Sequence, residues 1–205
     1  MAFGIGPMGL VVSVPDSPVL AQQVEERTRT NVDGTSTVET LSAQIHRDRA
    51  GRIRIEWRVS GDSDGQSGVA YVIDPVARSA AVLFLEQKIA QYLVAPHAAS
   101  GEFQVAFPAI GTPPSPAAKS RSETEKLGVR VIEGMEFEGA RTIQIFADSM
   151  TIVREEWHSR KFGLTALIAA AGPSWRHEAR LLDLREHEPD PKLFFIPPDF
   201  AVRDH

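Results

Sequence analysis

Cysteine is absent from the 205 residues of this chain. A chain without cysteine has no disulfide, no thiolate nucleophile, no cysteine-based zinc site and no lipidated N-terminal cysteine. No apolar run reaches the length of about 18 residues that a membrane-spanning helix needs. Several anchoring and catalytic classes are therefore excluded, and a chain of this length folds on hydrophobic packing alone.

An excess of basic residues is also missing. The chain has 22 Lys and Arg against 27 Asp and Glu, which gives a formal net charge of -5. Nucleic-acid binding needs a cluster of basic side chains or a surface of stacking aromatics. With only 3 Trp and 2 Tyr, the sequence offers neither, so nucleic acid is not an expected partner.

Alternation of polar and apolar residues is the main pattern from residue 19 onward. It is clearest over residues 52–59, where eight residues alternate without a miss. In a strand this places four apolar side chains on one face and the charged residues on the solvent face. These are Ile53, Ile55, Trp57 and Val59. Residues 41–45 repeat the pattern, and turns over residues 31–34 and 46–52 predict a three-stranded antiparallel meander.

The meander is predicted to continue through a turn at residues 61–65. Two short apolar runs, at residues 80–85 and 89–94, then favour a hairpin of two strands. A helix over residues 82–93 is the alternative, since short apolar runs are not resolved by their period alone.

The second half is also predicted to be rich in strands. The expected strands cover residues 127–132, 135–146, 151–158, 164–171 and 175–184, and the tail from residue 188 reads as a turn followed by an edge strand. The alanine-rich run 165–171 has helix propensity, but the glycine and proline around it favour a strand.

Two segments differ from the rest. Residues 1–17 are expected to be a flexible leader without an intact signal peptide, because no basic residue precedes the apolar stretch. Residues 96–120 contain five prolines, which remove ladder donors, so a long loop is expected there. The prediction is a single domain over residues 18–205.

Motifs for catalysis are weak throughout. Residues 4–9 and 61–65 match glycine-rich and nucleophile-elbow patterns only formally, since neither lies between a strand and a helix. The six histidines show no metal-protease spacing, and they are expected at the surface or at the core margin. The doubled glutamates Glu25–Glu26 and Glu155–Glu156 are expected to place one residue in solvent and one at the sheet margin. No catalytic residue, metal or cofactor is predicted.

Several segments together resemble a family of uncharacterised exported bacterial β-rich proteins. The segments that carry the resemblance are residues 24–30, 33–35, 46–54, 73–77, 127–128, 132–134, 138–142, 155–159 and 188–200. That family is distantly similar to periplasmic outer-membrane lipoprotein carriers and related sensors. Those proteins are curved antiparallel half-barrels that hold acyl chains in an apolar concavity. The family has no established catalytic residues, so none are carried over.

The expected fold is mainly β, with one curved antiparallel sheet or half-barrel of about ten strands and little helix. The expected function is a non-catalytic periplasmic or otherwise exported binding or carrier protein for an apolar, lipid-like ligand. Its predicted ligand-lining residues are Ile53, Ile55, Trp57 and Leu167. The alternative is a protein-interaction or envelope-sensor module without a small-molecule ligand, which would use the 96–120 loop or an exposed edge strand to bind an envelope protein.

Overall fold

A computed structural model of the chain describes residues 11–58, 68–93, 120–146 and 150–203. Within these ranges the chain is built almost wholly from strands. They are β1 (Val19–Thr30), β2 (Ser36–Arg47), β3 (Ile53–Arg58), β4 (Gly68–Asp74), β5 (Ser79–Phe84), β6 (Ile89–Tyr92), β7 (Ser120–Ile132), β8 (Met135–Phe146), β9 (Thr151–Ser159), β10 (Leu164–Gly172), β11 (Trp175–Arg185) and β12 (Ala201–Arg203). One 3₁₀ helix covers Pro191–Phe194, and no described helix is long and apolar enough to cross a membrane.

The strands form one sheet in the order β12-β6-β5-β4-β3-β2-β1-β11-β10-β9-β8-β7. Strand β12 pairs with β6 in parallel, whereas the pairs from β2 to β6 and from β7 to β11 are antiparallel. The predicted fold class, a mainly β chain with one curved antiparallel sheet and little helix, is confirmed. The sheet has twelve strands, slightly more than the expected number of about ten.

The predicted meander of three strands is confirmed as β1, β2 and β3. In β3 the predicted alternation holds for Ile53, Ile55 and Trp57, which are all 3% exposed. Val59 and the predicted turn at residues 61–65 lie outside the described residues.

The expectation that the charged residues of β3 all face solvent is wrong for Arg54, which is only 8% exposed. Its Nη2 contacts Glu56 Oε2 at 2.6 Å, and its Nη1 donates to the carbonyl oxygen of Leu193 at 3.3 Å. A segment near the C-terminus thus covers β3 on the face opposite to Ile53, Ile55 and Trp57. A period of two within one strand cannot reveal a cover supplied by residues 139 positions away.

The hairpin predicted around residues 86–88 is confirmed, and the alternative helix is wrong. Phe84 lies opposite Ile89 and Ala81 lies opposite Tyr92, as β5 and β6 require. Lys88 adopts a positive φ of 51° in the connection. The alanine-rich run also forms a strand, β10, whose residues pair with both β9 and β11.

The chain divides into two compact units. Unit 1 contains residues 24–40 and the described part of 108–182, together with residues 11–12, and unit 2 contains residues 13–23, the described part of 41–107 and residues 183–203. The single domain over residues 18–205 stays a prediction. Residues 1–10 of the expected leader and residues 96–119 of the expected loop lie outside the described residues, and Ser120 begins β7.

Candidate functional site: an apolar face on strands β2 to β5

One face of unit 2 is lined by rows of apolar side chains. Residues directly opposite each other in an antiparallel sheet point to the same side, so the register defines these rows. The rows are Ala43, Trp57, Val69 and Phe84; then Ile45, Ile55, Tyr71 and Val82; then Arg47, Ile53, Ile73 and Ala80. These rows are called the apolar face below. Nine of its twelve members are buried, including Ile45 at 0% and Trp57 at 3% exposed, and the other three are half-buried.

The opposite face of the same strands has a separate core. There Ala70, Val72, Leu83 and Ala90 pack against Phe194 of the 3₁₀ helix. Leu85, Leu193, Ile196 and Phe200 surround this cluster. Asp190 begins the short helix, since its side chain accepts a hydrogen bond from the backbone N–H of Lys192. The C-terminal segment therefore completes one core of unit 2, and the apolar face is distinct from it.

Arg47 lies at the end of one row of the apolar face. Its side chain is buried, and its Nε and Nη2 donate to the Ser17 carbonyl oxygen and Ser17 Oγ at 2.7 and 2.9 Å. Burial lowers the pKa of this guanidinium to about 10, so it stays charged at neutral pH. Burial likewise raises the pKa of Tyr71, so its phenol stays protonated.

Two buried side chains on β1 and β3 have polar atoms without partners. Among the described residues, Trp57 Nε1 donates to no acceptor, and neither amide atom of Gln23 has a hydrogen-bond partner. Gln23 is 0% exposed. Most buried polar groups in proteins have a partner, so three unpaired atoms in one unit need an explanation.

The structure groups three of the four predicted lining residues. Ile53, Ile55 and Trp57 lie together on the apolar face of unit 2. Leu167 lies on β10 in unit 1, where it is half-buried opposite Arg180 and Trp157. Ligand lining by these four residues stays a prediction.

Unit 1 has an open pocket of about 440 Å³ between the β7–β8 and β9–β10 turns. Its lining residues are Val129, Gly134, Met135, Glu136, Phe137, Glu138, His158, Ser159, Arg160, Lys161 and Phe162. None of the four predicted lining residues is among them. The pocket mixes acidic and basic side chains with Phe137 and Phe162, so its chemistry differs from that of the apolar face.

A buried ionic cluster in unit 1 was missed at the sequence level. Glu25 is 1% exposed, and its Oε1 accepts from His177 Nε2 and Arg27 Nε, both at 2.7 Å. The expectation of a solvated or marginal residue is therefore wrong for Glu25. The doubled glutamate is the only sequence signal here, because His177 is 152 residues away. No group of three or more metal-ligating side chains occurs among the described residues.

No family model and no curated protein matches the sequence. Several solved structures resemble the chain. A LolA superfamily protein from Nitrosomonas europaea is 8% identical, with a TM-score of 0.41, and the match covers 90% of this chain and 92% of that one. A putative outer membrane lipoprotein-sorting protein domain from Vibrio parahaemolyticus is 10% identical, with a TM-score of 0.35 and coverages of 87% and 89%.

A third similar structure is the MucA/MucB complex of Pseudomonas aeruginosa, at 13% identity and a TM-score of 0.41. That match covers 92% of this chain and 59% of the other. A likeness at this level concerns the arrangement of strands, and no property of these proteins is carried over to this chain.

Proposed function

We propose that the protein is a non-catalytic, exported binding or carrier protein for an apolar, lipid-like ligand that binds at the apolar face. The observation that carries this proposal is that unit 2 has an apolar surface on both sides of the same strands. The C-terminal segment forms the core on one side. The second side has isoleucine, valine and tryptophan side chains in register over four strands, which suits an extended hydrocarbon chain.

The absence of catalytic grouping among the described residues fits this proposal. The side chains of the apolar face contain no carboxylate or histidine, and Arg47 is held by Ser17. Because the face is shielded from solvent, a ligand reaches it only when the chain opens over these residues. Burying a long acyl chain there is favourable by about 0.8 kcal/mol for each buried methylene group.

Photolabelling tests where the ligand binds. A hexadecanoyl chain that carries a diazirine is incubated with the protein and irradiated, and the labelled peptides are identified by mass spectrometry. We expect label on the apolar face, at residues such as Ile45, Ile55 and Val82. Label confined to the unit 1 pocket, or no label above that of an unrelated protein, contradicts the proposal.

A matched pair of variants gives a second test. Ile55→Glu introduces a charge on the apolar face, and Arg58→Glu introduces the same group at a position that is 52% exposed. We expect Ile55→Glu to lose the bound lipid seen by native mass spectrometry, with a moderate loss of stability. Arg58→Glu should keep it. A folded Ile55→Glu protein that retains lipid contradicts binding at this face.

A second candidate function, a protein-interaction or envelope-sensor module, is favoured by strand β7. This strand ends the sheet, and Val129 and Val131 on it are each 65% exposed. An exposed strand edge can accept a further strand from a partner. Val129→Lys with Val131→Lys should then abolish cross-links from β7 to an envelope protein and leave lipid binding unchanged. Equal cross-linking of the variant contradicts this function.

A further inference from the structure

The three unpaired polar atoms of Gln23 and Trp57 form a polar spot where β1 adjoins the apolar face. Gln23 is 0% and Trp57 is 3% exposed, and within the described part of the chain the amide nitrogen, the amide oxygen and the indole nitrogen have no hydrogen-bond partner. A buried donor or acceptor left unpaired has lost its water without compensation. Such atoms in a binding face point to a group that the ligand supplies.

The strand register places Gln23 and Trp57 on either side of Ala43. Asn31 accepts from Gly34 in the turn between β1 and β2, and Thr30 Oγ1 lies 3.3 Å from Ser36 Oγ. Counting back from this pair along two strands of equal length places Gln23 opposite Ala43, which lies opposite Trp57 on β3.

Gln23 and Trp57 therefore flank Ala43 on one face, with their Cα atoms two strand spacings, or about 10 Å, apart. The side chain of Ala43 is a single methyl group, the smallest in this row. A ligand group that lies over Ala43 is within reach of both polar side chains.

The chemistry of the three atoms defines the ligand group. The indole N–H and the amide NH₂ are donors, and the amide oxygen is an acceptor. One carbonyl oxygen can accept from both donors, and an adjacent N–H can donate to the amide oxygen. The row of Gln23, Ala43, Trp57, Val69 and Phe84 contains no ionisable side chain. Arg47 lies two rows away and donates to Ser17, so a charged head group over Ala43 would be buried without an adjacent counter-charge.

We propose that Gln23 and Trp57 bind the uncharged polar group of the ligand, and that this group is an amide attached to an acyl chain. The inference rests on the proposed function and makes it more specific. A hydrocarbon would leave all three atoms unpaired. A carboxylate has acceptors only, so it would leave the amide oxygen of Gln23 unpaired as well as burying its charge.

The test compares three probes of equal chain length. Dodecanamide has a donor and an acceptor, 2-dodecanone has an acceptor only, and dodecane has neither. Each is titrated against protein loaded with the fluorophore N-phenyl-1-naphthylamine, and the displacement gives its affinity. We expect dodecanamide to bind more tightly than 2-dodecanone, and 2-dodecanone more tightly than dodecane, with about tenfold between steps, as for one buried hydrogen bond.

Two variants assign the preference to these residues. Trp57→Phe removes the N–H and keeps an aromatic ring, and Gln23→Met removes both amide atoms at similar length. In both variants the affinity for dodecanamide should fall towards that for dodecane, so that most of the preference for dodecanamide is lost. Trp157→Phe is the matched control, because its indole N–H already donates to Glu155 Oε1 at 2.9 Å in unit 1. It should keep the preference.

The outcomes separate the two proposals. Equal binding of the three probes by the wild type overturns the polar assignment and leaves the carrier function standing. Failure of all three to displace the fluorophore overturns both. If Trp57→Phe does not fold, the wild-type series and Gln23→Met decide, and a Gln23→Met protein that keeps the full preference overturns the assignment.

Discussion

Glu25 on β1 accepts a hydrogen bond from His177 Nε2 on β11 over 2.7 Å, although only 1% of the glutamate is exposed. Arg27 donates to the same carboxylate oxygen from Nε and Nη2. Arg27 also lies 3.8 Å from Glu39 on β2, so it has a second carboxylate within reach. Burial raises the pKa of Glu25, but the hydrogen bonds from His177 and Arg27 outweigh it and hold that pKa below its ordinary value of 4.5.

This cluster predicts a loss of stability in acid. Because the pKa of Glu25 is lower in the folded state, its stabilisation is present above about pH 4.5 and is lost as the pH falls through the folded-state value. Glu25→Gln should lower the free energy of unfolding by about 1–3 kcal/mol at pH 7 and flatten its acid dependence. Glu26→Gln, at the exposed neighbouring position, is the control. Urea denaturation across a pH series measures both, and equal profiles for wild type and Glu25→Gln contradict the prediction.

The alternation in β3 predicts unequal costs for its side chains. Trp57→Ala should lower the free energy of unfolding by about 3–5 kcal/mol, since it removes a large buried aromatic. Arg58→Ala should change it by no more than about 0.5 kcal/mol, because the side chain is 52% exposed. Chemical denaturation compares them. If the Arg58 variant were as destabilised as the Trp57 variant, the alternation of buried and exposed side chains in β3 would be contradicted.

Arg54 is predicted to behave differently from Arg58, although both are arginines of one strand that contact Glu56. Arg54→Ala removes a buried guanidinium that donates to the carbonyl oxygen of Leu193, and it should cost about 1–3 kcal/mol. Thermal denaturation of Arg54→Ala beside Arg58→Ala tests this. Equal melting temperatures would show that the contact between Arg54 and the C-terminal segment contributes nothing.

Strand positions and turns could be read from the sequence because alternation is a local property. Residues 52–59 show which face of β3 is apolar, and Pro75 and Gly172 mark the ends of β4 and β10. The hairpin of β5 and β6 could not be distinguished from a helix in this way, because the apolar runs at residues 80–85 and 89–94 are too short for their period to decide. The pairing of Phe84 with Ile89 decided it.

Contacts between distant segments could not be read in this way. The burial of Arg54 depends on Leu193, and that of Glu25 depends on His177. Neither partner is marked by a spacing in the sequence. The candidate site shows the same difference between local and distant information. Ile53, Ile55 and Trp57 were predicted from the alternation within their own strand. Gln23 was missed because a glutamine gives no sign in the sequence that the folded chain buries it.

The C-terminal segment is predicted to be essential to the stability of unit 2. Phe194 is 3% exposed within the cluster of Ala70, Val72, Leu83 and Ala90, so Phe194→Ala should cost about 3–5 kcal/mol. Phe195→Ala is the matched control, at 57% exposed. Both rings lie near the Arg52 guanidinium, at 5.1 and 5.4 Å, so the control loses only a contact of about 0.5–1 kcal/mol. Equal losses in a denaturation experiment would contradict the packing role of Phe194.

Gly139 and Trp157 are predicted to be coupled across β8 and β9, where they lie directly opposite each other. A Cβ at Gly139 would lie 2.7–2.9 Å from carbon atoms of the indole. The ring cannot move freely, because its N–H donates to Glu155 and the Arg130 guanidinium lies 5.1 Å from its centre. Gly139→Ala should therefore cost about 1–3 kcal/mol through overpacking.

A double-mutant cycle with Trp157→Leu distinguishes this contact from a general effect of alanine on the strand. In the leucine background the overlapping ring is gone, so Gly139→Ala should cost no more than about 0.5 kcal/mol. Urea denaturation of the four proteins gives the coupling energy. Equal costs of Gly139→Ala in the two backgrounds would mean that the indole is not what makes glycine necessary there, and that the strand itself resists a side chain at this position.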